Sequence, residues 1–178
     1  TGWRDKGLNV SSEHTLFTSI SKLNKGLGNK RQTRNKNLLL NYSVDEIDMA
    51  NVSNAKTATN VSIKYSSAQT TSYTYDANNK YYLRSVNGKA HTDYVTKNQY
   101  HFKNIIVYQV GNYTINDGEN KGRQNLENVG SGKGYYISNG YSIPINWSKA
   151  SRSAQTKYTL ENGEELKVND GNTFIQIQ

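Results

Sequence analysis

From residue 58 onward, apolar and polar positions alternate with a period of two. Val61, Ile63 and Tyr65 keep this spacing, as do Thr71, Tyr73 and Tyr75. Alternation of this kind predicts strands with one buried face. The tetrapeptide Asp76-Ala77-Asn78-Asn79 reads as a turn, and residues 80–86 return as the second arm of a hairpin. Asn87-Gly88 ends that arm, because Asn-Gly readily takes the positive φ angles of tight turns. Asn139-Gly140, Asn162-Gly163, Asp117-Gly118 and Asp170-Gly171 repeat the same punctuation. Between them, strands are predicted over 104–110, 124–129, 134–138, 156–160, 165–168 and 173–177. Ile105, Ile106 and Val107 form the most continuous apolar run, which marks the candidate central strand.

The first third of the chain differs. Leu16, Phe17, Ile20, Leu23 and Leu27 fall at helical spacings after Ser11 and Ser12, predicting a helix over 13–25 that ends near Gly26 or Gly28. In residues 29–56, Leu38-Leu39-Leu40 fits either a strand or a helix end, and 43–58 reads as a loop. The fold class is therefore mainly β (α+β). Its form is an antiparallel meander, sandwich or partly closed barrel with one or two N-terminal helices.

Only 34% of the 178 residues are hydrophobic, and 14 of the aromatics are Tyr, which suits half-exposed sheet faces. The net charge is +8. Six cations (Lys22, Lys25, Lys30, Arg31, Arg34 and Lys36) lie in 22–36 with no acid among them. Such a balance admits nucleic acid, an anionic membrane surface or an anionic wall polymer as partner. No apolar stretch approaches the ~20 residues of a membrane-spanning helix. There is no Cys, and the chain opens at Thr1 without an initiator Met. It reads as an excised piece, with room upstream for an export signal or lipid anchor.

Several segments then resemble one family. Residues 84–93 read Arg-Ser-Val-Asn-Gly-Lys-Ala-His-Thr-Asp, followed by Thr96 and by Asn104, Ile105, Ile106 and Val107. Residues 122–134 run Gly122, Arg123 and on to Val129-Gly130-Ser131-Gly132-Lys133-Gly134, with Trp147-Ser148-Lys149, Arg152, Thr156 and Thr173-Phe174-Ile175-Gln176 after them. Trp3-Arg4-Asp5 and His14 to Ser19 add to the series. This ordered string resembles the YerB-like bacterial lipoproteins. Thr96-Lys97 stands where that family has Thr-Gly, and Phe174 stands where it often has Trp. The resemblance implies an extracytoplasmic protein held at the cell membrane by a lipid anchor outside these residues. It implies that 1–56 is the helix-containing end of an N-terminal lobe and 57–178 a C-terminal antiparallel β domain. It implies no reaction and no cofactor.

The residues themselves offer three sets of candidate chemistry. His91 and Asp93, two apart on one strand face, could form an oriented base or two metal ligands, with His14 or Ser131 as the third member. Otherwise they pair structurally. The run 130–134 lacks the Walker spacing and leads into a strand, so it reads as a glycine-rich bulge or crossing at a sheet edge. In the other reading, its backbone and Lys133 grip an anion. Trp147, with Tyr135, Tyr136, Tyr141, Lys133, Lys149 and Arg152, suits a glycan or a plain sheet face. Arg84, His91, Asp93 and Arg123 are expected near one another. The ligand-binding candidates are thus Arg84, His91, Asp93, Arg123, Ser131, Lys133, Trp147 and Arg152, with no catalytic or metal set assigned. The expected function is a binding or scaffolding module of the cell envelope. Its partner is an anionic wall polymer, glycan, membrane surface or another envelope protein, and not nucleic acid. A metal-dependent or hydrolytic enzyme using His91 and Asp93 is the alternative.

Overall fold

In the computed structural model, which describes residues 2–30 and 38–178, the period-two segments form strands. The chain divides into two units, Thr1–Asn37 and Leu38–Gln178. Arg31, Arg34 and Lys36 of the cationic run lie outside the described residues.

In the first unit, β1 (Trp3–Arg4) pairs antiparallel with β2 (Leu16–Phe17), and Trp3 stacks on Phe17 with ring centroids 6.1 Å apart. The helix expected over 13–25 is replaced by a 3-10 turn at Ser12–Thr15, strand β2, and then α1 (Ile20–Leu27). Pairing with β1 holds Leu16 and Phe17 extended, so the helix starts at Ile20 rather than at 13. Ser19 is its N-cap, accepting a hydrogen bond from Lys22 N at 3.3 Å. Gly28, at φ +47°, closes it as expected. No described helix is long and apolar enough to cross a membrane.

The second unit is a two-sheet sandwich, mainly antiparallel. Its strands in chain order are β3 (Asn41–Tyr42), β4 (Lys56–Thr57), β5 (Asn60–Lys64), β6 (Thr70–Asp76), β7 (Tyr81–Val86), β8 (Lys89–Ala90) and β9 (His101–Phe102). There follow β10 (Asn104–Tyr108), β11 (Gly111–Thr114), β12 (Gln124–Glu127), β13 (Gly130–Ser138), β14 (Tyr141–Lys149), β15 (Lys157–Thr159), β16 (Lys167–Val168) and β17 (Thr173–Ile177). The larger sheet has the order β15-β14-β13-β10-β17, with β4 also on β14. The smaller runs β5-β6-β7-β8, with β9 also on β7. β11 and β12 form a separate ribbon, and β16 pairs parallel with β3.

The β10 strand is buried on both faces, as its unbroken apolar run predicts, although β13 rather than β10 is third of five in the path. Ile105 faces the smaller sheet, packing with Ile63, Tyr73, Tyr82 and Ile137. Ile106 and Tyr108 face the opposite core of Ile143, Ile145, Trp147, Tyr158, Leu166 and Val168. Each such aliphatic side chain contributes about 1.5–3 kcal/mol by leaving water. β17 runs parallel to β10, so the chain between them must cross over rather than turn back.

The Asn-Gly turns behave as their chemistry dictates. Asn87 (φ 50°), Gly88 (75°), Asn139 (48°) and Gly140 (81°) all take left-handed angles. Tyr82 pins the second of these turns across the sandwich. Its hydroxyl donates to Ala58 O at 3.0 Å and accepts from Gly140 N at 3.0 Å.

Residues 38–56, read from sequence as the end of a preceding lobe, are contiguous with this unit. Leu40 and Met49 are buried in its core, with Ile47 and Val52 packed against them. The compact β unit therefore begins at residue 38 rather than 57, because these apolar side chains cover the face of β13 and β14.

Candidate functional site

Arg84, on β7, is held by a backbone frame. Its N–H donates to Tyr100 O at 2.9 Å, and its carbonyl accepts from His91 N at 3.0 Å. The guanidinium donates through Nη1 to His91 Nδ1 and lies 5.1 Å from the Phe174 ring centre. Because Nδ1 accepts, the imidazole is neutral. Partial burial, and then the adjacent Arg84 charge, hold its pKa below the usual histidine range. Among the described residues, Arg84 Nε is buried without a partner. Beneath it, Tyr73 donates to Gln176, which donates in turn to the Tyr65 hydroxyl. Burial pushes the Tyr73 hydroxyl up to about 12.

Asp93 does not reach His91. Its carboxylate accepts from Thr96 N (2.7 Å), Val95 N (3.1 Å) and the Tyr100 hydroxyl (3.2 Å), closing the turn at 93–97. The Thr96 contacts are the main reason its pKa falls.

The glycines of 130–134 lie inside β13, an interior strand. A Cβ at Gly134 would meet Val107 O at 2.5 Å, and one at Gly132 would meet Trp147 Nε1 at 2.7 Å. The glycine pattern therefore admits a tight strand and an indole. Trp147 itself is buried and donates to Gln109 O at 3.2 Å. On the other face of these strands, the register sets Ser131 opposite Ser148, Ser148 opposite Lys157, Lys133 opposite Asn146, and Tyr135 opposite Pro144. Ile137 on this face is buried in the core shared with the smaller sheet, whereas Ser131, Lys133, Tyr135, Ser148 and Lys157 are exposed. This uncovered half holds two lysines, a tyrosine and hydroxyl and amide groups, and its row Lys133–Asn146–Thr159 continues to the exposed Glu165 at the sheet edge.

Around the end of the same strands is a cavity of about 500 Å³. It is lined by Val129, Gly130, Ser148, Lys149, Ala150, Ala154, Gln155 and Lys157.

Two further polar clusters are structural. Asn104 Oδ1 accepts from the hydroxyls of Tyr136 (2.8 Å) and Ser138 (3.0 Å), while its Nδ2 donates to Asn169 O (2.8 Å). Asn169 donates to Ser138 Oγ (3.0 Å) and accepts from Ile47 N (2.7 Å). This satisfied network locks β10, β13 and the 169 turn in register. Glu46 binds Lys80 Nζ (2.8 Å), Lys103 Nζ (2.9 Å) and Asn139 Nδ2 (2.9 Å). Those partners, Lys80 foremost, bring its pKa down to about 2.

Residues 61–175 match the family described as the C-terminal domain of DUF3048, a protein of unknown function. The chain belongs to that family. No curated protein matches it. The crystal structure of the YerB protein from Bacillus subtilis superposes over 99% of this chain with a TM-score of 0.77 and 21% identity. At that identity the likeness concerns the fold. The chain spans 56% of the YerB chain. The family match and the superposition agree with the resemblance read from the motifs.

Within this DUF3048 C-terminal domain, the residues selected from sequence do not form one site. Arg84 and His91 meet, but Asp93 is turned into its own loop. Arg123 is not beside Arg84. It sits at the β11–β12 ribbon, paired with Asp117 at 2.5 Å and Glu119 at 2.7 Å. Those acids lie within six residues, so a local pairing satisfies it before any distant one. Trp147 is core. Ser131, Lys133 and Arg152 are exposed, around the end of β13–β14. The His91–Asp93 pair that an enzymatic reading needs is not made. Among the described residues, no group of three or more His, Cys, Asp or Glu could hold a metal ion. Lys157 and Gln155 were not singled out from sequence. Only the β14–β15 pairing brings them beside Ser148 and Lys149.

Proposed function

We propose that this domain is a binding or scaffolding module of the cell envelope that engages an anionic polymer. The supporting observation is the uncovered half of the larger sheet, where Lys133 and Lys157 flank Tyr135, Asn146, Ser131 and Ser148. Ammonium groups attract the anion, the ring offers a flat face to a sugar, and the amide and hydroxyls orient it. The net charge of +8 favours encounter with such a partner. Placement outside the cytoplasm, on a lipid anchor beyond these residues, is part of the proposal and rests on the lipoprotein resemblance of the motifs.

The test is co-sedimentation with purified peptidoglycan and teichoic acid, and with phosphatidylglycerol vesicles, at low and high salt. Salt-sensitive binding to one of them is expected, weakened by Lys133→Gln and Tyr135→Ala at unchanged thermal stability. Absence of binding to all three would overturn the reading.

A further inference from the structure

We propose that the cavity at the end of β13, β14 and β15 is a site for a phosphate group carried on a polyol or sugar unit. This deepens the anionic-partner reading and rests on it.

The cavity is an open cleft of about 500 Å³, within the ~300–1,000 Å³ typical of small-ligand sites. A bare phosphate would fill only part of it, which leaves room for a body on the anion. Lys149 and Lys157 both line it. No carboxylate does. Several cations elsewhere in the domain are neutralised by acids. Lys80 and Lys103 share Glu46, Lys121 pairs with Glu119, and Arg123 pairs with Asp117 and Glu119. Among the described residues, no ion pair joins Lys149 or Lys157 to an acid. Two uncompensated ammonium groups in one concavity raise the local potential for an anion.

The loop over this end strengthens the case. Lys149 Nζ donates to the Ala154 carbonyl, which fixes both the lysine and the turn 151–154. The turn is closed further by Ala154 N donating to Ser151 O at 3.1 Å. Arg152 is exposed in that turn, outside the cavity lining. Lysine recognises phosphate as a point charge with several donors. Ser148 and Gln155 supply neutral groups for hydroxyls, and Val129, Ala150 and Ala154 supply small apolar walls. Two lysines, hydroxyl partners and a short apolar wall describe a phosphorylated polyol or sugar rather than a fatty acid or a simple carboxylate.

The experiment is titration calorimetry of the full chain with glycerol 3-phosphate. The original chain is compared with Lys157→Gln, with Lys149→Gln/Lys157→Gln, and with Lys89→Gln as a charge-matched control on exposed β8. We expect salt-sensitive binding that weakens at least tenfold in the double variant, less in Lys157→Gln, and not at all in the control. Lys157 makes no bond to the turn, so the single variant still reports if loss of Lys149 loosens it. Displacement by teichoic acid identifies a wall polymer as the natural source of the phosphate, and displacement by phosphatidylglycerol vesicles identifies a headgroup. Failure of glycerol 3-phosphate to bind, or equal binding by all variants, overturns the site. If polymer co-sedimentation persists in that case, the broader reading survives. If it too is absent, both fall.

Discussion

Trp147 lies across Gly132, so that a Cβ on the glycine would come within 2.7 Å of the indole Nε1. The indole cannot move away freely, because its N–H holds Gln109 O and its ring packs on Tyr108 at 5.1 Å. Gly132→Ala should therefore destabilise the domain by about 1–3 kcal/mol through overpacking. Denaturant unfolding checks this, and an unchanged midpoint would show that the sheet relaxes around the methyl.

Removing Asn104 should cost more than its small size suggests. Asn104→Ala leaves the Tyr136 hydroxyl proton without its acceptor, though its oxygen still accepts from Asn169 N, and leaves the Asn169 carbonyl without its donor; a buried group left unpaired costs about 1–3 kcal/mol. Ser138→Ala breaks fewer of these bonds and should be the milder change. Urea melts of the two variants give the order, and the reverse ranking would contradict the network as described.

Acid should weaken the domain partly through Glu46. Its folded pKa, about 2, lies below the ordinary 4.5, so the native state favours the ionised form. The resulting stabilisation is fully present above pH 4.5 and is lost as pH falls towards 2. Glu46→Gln should be less stable than the original chain at neutral pH and should show a flatter loss across that window. Parallel melts at several pH values test it. Identical slopes would remove Glu46 from the acid response.

Arg123→Ala should change stability by less than about 1 kcal/mol, because its ion pairs are exposed and confined to one ribbon. A large loss of thermal stability would instead mean that the ribbon supports the sandwich.

Much of the fold was legible in the chain, and much of the candidate site was not. The runs at 104–110, 134–138 and 173–177 became strands, and Asn87-Gly88 and Asn139-Gly140 became left-handed turns, since both signals are local. The helix was displaced to Ile20–Leu27 because a two-strand ribbon claimed Leu16 and Phe17. Asn104 and Asn169 were hidden among many solvent-facing asparagines. Arg84 and Arg123 share similar motif settings but have different partners, for nothing in a strand's own sequence says which neighbour its side chains will meet.

The sequence by itself determined the β character, the positions of the turns, the doubly buried strand at Ile105 and the family. These follow from side-chain period, from the backbone freedom of Asn and Gly, and from an ordered series of motifs. Only the tertiary structure decided that β17 runs parallel to β10, that residues 38–56 cover the larger sheet, and that Trp147 is core. It alone brought Lys149 and Lys157 to one cavity. The reason is that register, burial and charge pairing depend on contacts between residues far apart in the chain. Each of those contacts is fixed by packing competition across the whole domain rather than by any local preference.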